Sequence, residues 1–505
     1  MLATLLWLVS IPAIFFLYSH FAREWREIDP VLLEHQTSIG ETREACQSAT
    51  YRSVDVPHGM QVTRGLSLRN GYKIRDGCLK DIWHLALSNR DETMKPTRVS
   101  LGEKTFTIGQ VNSALHRIAQ RLEKYQKIAV YGKLNENPEL LLVVWSCFFV
   151  LDKVVLVYEN GYDLSLVDSE DESLAIITTD RYSKDAPPAI FGTVIGVEFV
   201  NDSDLEDSVS SAFSDIIQIE GDIKPSMSYE YDPNKDFANV NNHSYSLVKN
   251  GKETKFFQVN FVSSVASKLL SVPRSYSWNA SDRVVISYND SSFTSNNIIF
   301  QSLCALMSNV EAINIVNPEM LTKLSDIEKF NSTILCIDSH TLRDICTSTK
   351  KSFWQSFKLQ RGEYFNSLGY FTKFGQLNHS LNLKLTYVTQ LEPGLSSFIC
   401  NFCKTVLGSR ITREVFTDFT MGPILKTNLF DYRVVETRSL ALLGVPANSV
   451  ELKILKDSEE AKQGRLFVRG MSVGKGDHSV MDDDFWIDSG IEGTFARDGC
   501  FYGRL

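Results

Sequence analysis

Residues 464–505 read GRLFVRGMSVGKGDHSVMDDDFWIDSGIEGTFARDGCFYGRL, and the fold turns on how that run is parsed. Leu466, Phe467 and Val468 form a short apolar run with strand character, and Gly470, Gly474 and Gly476 punctuate the residues beyond it. Trp486-Ile487 starts a second apolar run. A Ser489-Gly490 turn, Gly493, a strand-like Thr494-Phe495-Ala496, an Asp498-Gly499 hairpin turn and Phe501-Tyr502 complete it.

Upstream the pattern alternates between helix and strand. Residues 105–125 carry helical spacing at Val111, Leu115, Ile118, Ala119 and Leu122, and a strand comes next over 127–131. NENPELLLVVWSCFFVLDKVVLVYE gives a helix opened by Pro138 and then a buried strand, with a further strand over 174–180. A helix over 297–307 and strands over 310–316, 333–337 and 383–388 come after them. Such alternation predicts an α/β sheet covered by helices.

Composition bounds the rest. A 505-residue chain with 43% hydrophobic and 22% charged residues is long enough for two or three subdomains around a substantial core. A net charge of −9 gives no general attraction to nucleic acid. The nine cysteines are scattered without a framework, which fits a reducing compartment. Cys400 and Cys403 sit in the apolar helical run SSFICNFCKTVLG and read as core thiols, since no second CxxC is present to complete a zinc site. The acidic, Ser-rich stretch 163–236 reads as solvated loops, and His58 and His84 as isolated structural histidines.

The other end of the chain suggests a membrane. Leu2–Ser19 carries no charge, and roughly 18 helical residues at about 1.5 Å each match the thin bilayer of the endoplasmic reticulum. No basic residue precedes the apolar run and no small-x-small cleavage site comes after it, which favours an anchor over a cleaved signal peptide. Arg23 and Arg26 just beyond it put the main domain in the cytosol by the positive-inside rule. The sequons at Asn201, Asn242, Asn279, Asn289, Asn331 and Asn378 then read as chance occurrences.

The C-terminal run resembles the adenylate-forming (AMP-binding) superfamily, whose pattern there is roughly GEIWVRGPSVMKGY followed by WFRTGDIGYFDEDGYLYVVGR. Trp486, Gly490, Gly493, Asp498, Gly499, Tyr502 and Arg504 keep its spacing. Asn137-Pro138-Glu139-Leu140 resembles the family's opening signature, and the LAIITTD run from Leu174 its next strand. The resemblance implies an acyl-CoA-synthetase-like N-terminal domain of two stacked α/β subdomains plus a small distorted β-barrel, preceded by one transmembrane helix. The divisions are 1–20 for the anchor, 21–100 for a membrane-proximal linker and lead-in, 101–433 for the α/β subdomains and 434–505 for the barrel-like part, ending where the family's hinge begins and without its C-terminal subdomain.

The family's chemistry maps poorly onto these residues. Its phosphate loop, SSGTTGxPKG, falls on SLVKNGKETK, residues 246–255, where Ser246 and Gly251 match. Leu247 and Val248 remove donors, Glu253 adds a repulsive carboxylate, Thr254 stands at the usual lysine, and Lys255 comes one place late. An ordinary turn between strands is the simpler reading. Ser291-Ser292-Phe293-Thr294 lacks the histidine many members keep, and Thr389-Gln390-Leu391-Glu392-Pro393-Gly394 lacks the paired glycines that pack on adenine. The YGxTE motif falls on Phe419-Thr420-Met421-Gly422-Pro423: the aromatic is kept, and Gly and Pro replace the phosphate-binding threonine and the glutamate that helps hold Mg²⁺. At the ribose-binding aspartate, after Ser489-Gly490, stands Ile491.

These replacements predict a membrane-anchored pseudoenzyme of lipid metabolism: a regulatory or scaffold protein at the endoplasmic reticulum with protein partners, a pocket for an acyl lipid, no catalytic or metal residues and no cofactor. Ser246, Gly251, Lys252, Thr254, Lys255, Phe419, Thr420, Ser489 and Gly490 are its vestigial nucleotide-binding candidates. The enzyme alternative is a divergent fatty-acyl-CoA synthetase, an ATP-dependent acid–thiol ligase using ATP and Mg²⁺ through shifted residues such as Lys252, Lys255 and Thr420. A structural subunit of a membrane complex is a third class.

Overall fold

The computed structural model describes residues 10–14, 16, 26–158, 174–178 and 241–505, except 43, 71, 89–95, 250–251, 290, 292, 349–352, 373–375, 378–380, 435–439 and 477–484. Most of the apolar segment Leu2–Ser19 lies outside the described residues. Among the described residues no helix is long and apolar enough to cross a membrane.

Six parallel strands form the centre, in the spatial order Arg98–Leu101, Ala312–Ile315, Arg283–Ser287, Ile334–Asp338, Leu385–Thr389 and Arg410–Val415. The inner strands read as continuous apolar runs because helices cover both faces of a parallel sheet; Ile334–Asp338 and Leu385–Thr389 are buried at every position. Antiparallel strands continue the same sheet past Arg410–Val415. Leu425–Lys426, Ala441–Pro446, Phe501–Arg504, Ile487–Phe495, Gly464–Gly470 and Val450–Leu455 come in turn, then Tyr51–Ser53 and Thr37–Ile39. The early chain, polar in sequence, therefore supplies edge strands to the C-terminal sheet.

Ser489-Gly490 does not turn the chain, as the sequence suggested. Arg465 pairs with Glu492 and Phe467 with Asp488, so Ser489, Gly490 and Ile491 bulge opposite Leu466 within one continuous strand. Gly490 takes the positive φ of +74° that the bulge needs. Asp498-Gly499 does close the hairpin, with Gly499 N–H bonded to Ala496 O at 3.0 Å.

A second sheet runs Lys475–Gly476, Lys252–Phe257, His243–Lys249, Val154–Tyr158, Lys127–Tyr131, Leu174–Thr178. Helices lie between the two sheets. Ile108–Leu122 starts with a capping box between Thr107 and Gln110, and buries Val111, Leu115, Ile118 and Leu122 along one face. Thr294–Met307 is buried along almost its whole length, so it lies inside the core rather than on it. Trp83 stacks on Phe149 at 4.8 Å, and Phe148 meets Phe261 edge-on at 5.0 Å in the cluster that joins these helices. Cys400 and Cys403 are buried with Val406 and Leu407 in a second apolar cluster across the sheet.

Candidate functional site

In an open parallel sheet, ligands bind beyond the carboxyl ends of the strands, where the chain changes direction across the sheet. Here the change occurs at Arg283–Ser287, whose neighbours Ala312–Ile315 and Ile334–Asp338 lie on opposite sides. The crevice beyond it is bridged. Asp338 accepts from the backbone N–H of Asn289 (3.0 Å), His340 (2.9 Å) and Thr341 (2.9 Å), and from the Thr341 hydroxyl (2.7 Å). Its carboxylate is thereby spent on capping the next helix and holding the neighbouring loop.

The predicted phosphate stretch is a β-hairpin. His243–Lys249 pairs with Lys252–Phe257 in register, Ser246 opposite Lys255 and Leu247 opposite Thr254. Alternating apolar positions, including Tyr245, Leu247 and Phe256, drive the hairpin by entering the core. A loop that holds phosphate turns its N–H groups outward, whereas here 246–249 and 252–255 pair with each other as strands; 250–251 lie outside the described residues. Ser246 is fully buried; its hydroxyl donates to Glu253 at 2.6 Å and meets His243 Nε2 at 2.8 Å. Lys255 lies 3.5 Å from the same Glu253 carboxylate. Burial pulls the His243 imidazole below its usual range, and Glu253 pulls it back. Thr254 is buried and Lys252 exposed, while Gly251 lies outside the described residues.

Thr420, the second group of candidates, is brought to this hairpin, but through a strap that covers both. Lys475 and Gly476 add as a strand along the hairpin edge, opposite Lys255 and Thr254. Met421 N–H bonds to Ser472 O at 3.0 Å, and Gly474 N–H to Phe419 O at 2.9 Å. Asn260 fastens the strap from below, its amide donating to Met471 O (2.7 Å) and Val473 O (3.0 Å) while its carbonyl caps Phe257 N (2.7 Å). Asn296 joins the other side, accepting from Tyr245 OH at 3.0 Å and donating to Asp418 O and Thr420 O at 3.4 Å.

The retained aromatic is not offered to a ligand. Phe419 is 5% exposed and packs with Val415, Ile424, Leu425 and Val473. Thr420 is wholly buried, its hydroxyl in contact with that of Thr417 at 3.1 Å. Phe293 and Phe300 pack on Phe416 at 6.2 and 6.0 Å, filling the space beside the 416–420 turn. Ser489 donates to Leu466 O at 2.7 Å and Gly490 N–H to Asp488 at 2.9 Å. Both belong to the larger sheet and the hairpin to the smaller. Among the described residues no group of three His, Cys, Asp or Glu side chains is placed to hold a metal ion.

Sequence reasoning missed a buried polar cluster beneath this region. Lys268 Nζ contacts both Glu414 oxygens, at 3.0 and 3.1 Å, and Gln301 Oε1 at 2.8 Å. The Lys268 and Glu414 side chains are 2% and 3% exposed, and Lys268 lies 3.6 Å from the Tyr387 ring centroid. Burial pushes the Cys336 thiol up to about 12 and the Tyr387 phenol well above its usual value, so both stay neutral. The signal was present: Phe261, Val265 and Lys268 share one helical face, which places a lysine in an apolar stripe. The pair borders a cavity of about 300 Å³ that Lys426 also lines.

No family model matches this chain. It is 23% identical over 544 residues to a putative uncharacterized protein of Saccharomyces cerevisiae, YHR045W, with 94% of each chain covered. Among solved structures it is similar to VinN in complex with L-aspartate, at 11% identity and a TM-score of 0.56, covering 88% of this chain and 100% of that one. The anthranilate CoA ligase AuaEII bound to anthranoyl-AMP is 13% identical, with a TM-score of 0.56 over 85% of this chain and 76% of that one. The N-terminal domain of FACL13 from Mycobacterium tuberculosis is 11% identical, with a TM-score of 0.56 over 85% of this chain and all of that one. The chain has the mixed α/β fold of the N-terminal domain of adenylate-forming, acyl-CoA-synthetase-like enzymes.

Proposed function

We propose that this chain is a non-catalytic regulatory or scaffold protein of lipid metabolism, built on the fold of the acyl-CoA synthetases. Leu2–Ser19 holds it at the endoplasmic reticulum membrane with the main domain in the cytosol. The observation that carries the non-catalytic part is the 471–476 strap, which bonds to the hairpin on one side and to the 419–421 turn on the other. A triphosphate needs donors that are free and positively placed. Here 246–249 and 252–255 pair as strands, the strap adds opposite Thr254 and Lys255, and the Ser246 hydroxyl is already bonded to a carboxylate. AuaEII, whose structure holds an acyl-adenylate, shares the fold with this chain. The uncharged Leu2–Ser19 run and the resemblance to membrane-bound synthetases support the location.

The test is calorimetric titration of the full chain, in uncharged detergent, with ATP to millimolar concentration, with and without Mg²⁺. The expected result is no saturable heat. Saturable, Mg²⁺-dependent binding would instead support the ATP-dependent acid–thiol ligase, and the strap would then have to move aside for nucleotide.

A further inference from the structure

We propose that the cavity between the 28–36 segment and Lys426 is a binding site for the anionic head of an amphiphile, with Lys426 as the receiving cation. The cavity lies at the far end of the helix Gln258–Leu270 from the strap: Asn260, near the start of that helix, fastens the strap, whereas Ser267, Lys268 and Ser271 near its end line the cavity. It therefore lies at the other end of this helix from the strap, and of the 419–423 stretch only Pro423 reaches its wall.

Three observations point to this ligand. The volume, about 300 Å³, is at the lower end of the range in which small-molecule sites fall. The walls divide: Val272, Leu429, Phe430 and Val445 give an apolar side, and Lys426, Thr412 and Tyr387 a polar one. Most telling is the hydrogen bonding of Lys426. An ammonium has three donors, and among the described residues this one makes a single, long bond, to Asn448 Oδ1 at 3.3 Å.

The neighbouring charges do not supply the missing partner. Glu414 is taken by Lys268 at 3.0 Å. Asp55, at the rim, accepts from Asn448 Nδ2 at 3.2 Å and pulls on Lys426 only from a distance. His35 also lines the cavity. Burial accordingly draws the Lys426 amine down to about 8, with Lys268 adding to the shift and Asp55 and Glu414 opposing it. An anionic head placed against Lys426 supplies the absent acceptor, and the apolar wall takes the body attached to it.

The way in is visible at the 28–36 segment. Leu32 lines the cavity yet is 62% exposed, beside Val31 at 60%. This segment comes soon after Leu2–Ser19 in sequence. The choice of an amphiphile as ligand rests in part on the membrane reading above; the anion site itself does not, and neither depends on whether nucleotide binds.

The test uses the full chain in uncharged detergent and three soluble probes of one chain length: hexanoate, hexyl phosphate and hexanol. Titrations at pH 9 in two buffers of different ionisation enthalpy read affinity and proton uptake together. Hexanoate or hexyl phosphate should bind with uptake approaching one proton, because the anion recharges an amine that is mostly neutral at that pH. Hexanol should bind at least about tenfold more weakly. The better of the two anions identifies a carboxylate or a phosphate head. Lys426→Gln should abolish anion binding. Lys426→Arg should keep it without proton uptake, which separates a lost site from a misfolded variant. Equal binding of hexanol and both anions, no binding of any probe, or anion binding untouched by Lys426→Gln would each overturn the proposal. None of these results alters the outcome of the ATP titration.

Discussion

Replacing Lys268 by Met tests whether the buried cluster is a paired charge or merely a tolerated one. The lysine ammonium reaches both oxygens of Glu414 at 3.0 and 3.1 Å, with both side chains almost fully buried. Methionine keeps length and apolar contact but leaves the carboxylate with the Gln301 amide, at 3.3 Å, as its remaining side-chain donor. Removing one partner of such a pair costs about 3–5 kcal/mol, because a charge is stranded away from water. At about 1.4 kcal/mol per decade, that is roughly two to four orders of magnitude in the opening equilibrium. Native-state hydrogen exchange of the helix Gln258–Leu270 reads it without assuming that a chain of this size unfolds in one step. The double variant Lys268→Met, Glu414→Gln removes both charges and should recover most of the loss. A deficit under about 1 kcal/mol would show that removing the lysine does not strand a charge in a dry core.

Two further outcomes rest on the packing. In the native protein a thiol reagent should modify Cys46 first, since it is half-buried while the other eight cysteines are buried; burial holds Cys147 and Cys336 at about 12, which denies them thiolate character. Fast modification of a second thiol before denaturant is added would contradict the buried placement of Cys400 and Cys403. Gly444→Ala should lower thermal stability sharply, by at least about 2 kcal/mol. Gly444 holds a φ of +111°, and an added Cβ would lie 2.2 Å from the backbone oxygen of Lys426. An unchanged melting temperature would mean that the strand pair 425–426 with 441–446 is wrongly placed.

The parts of the fold legible in sequence are those where one periodicity dominates. The 108–122 helix shows its face through Val111, Leu115, Ile118 and Leu122, and the strands at 283–287, 312–315, 334–338 and 385–389 are near-continuous apolar runs. The ladder hidden in SLVKNGKETK was visible only as a simple turn between strands, because Lys249 and Lys252 share the face of Leu247 and Phe256 and interrupt its apolar pattern. The Ser489-Gly490 pair looked like a turn because both residues favour one. Only pairing with Arg465 and Phe467 shows that the extra residues are absorbed in a bulge. Phe419 was matched to the motif's aromatic, but nothing local says whether an aromatic ring faces a ligand or a core; that depended on the strap, some 50 positions later, bonding across it. The strap itself was legible as glycine punctuation and illegible as a cover, since hydrogen bonds between distant backbones leave no mark in residue type.

On the proposed non-catalytic reading, the same distinction bears on whether nucleotide chemistry could be restored by substitution. A metal-binding glutamate needs an open position beside the phosphates. Pro423→Glu, at the position the resemblance gives that glutamate, would put a second carboxylate at a buried position on the wall of the cavity that Glu414 already lines, at a cost of several kcal/mol. Replacing Glu253 would remove a repulsive charge but leave the ladder to Ser246 and its neighbours in place. Opening the ladder would then release Lys475 and Gly476, whose partners are Lys255 and Thr254, and with them the backbone bonds to Phe419 and Met421. These contacts form one chain of dependencies, hairpin to strap to turn. Single changes along it should therefore lower stability without producing ATP binding. On the non-catalytic reading we propose, the difference from a working adenylate site lies in the path of the backbone, which rebuilding residues 246–255 and 471–476 together could change and no single side chain can.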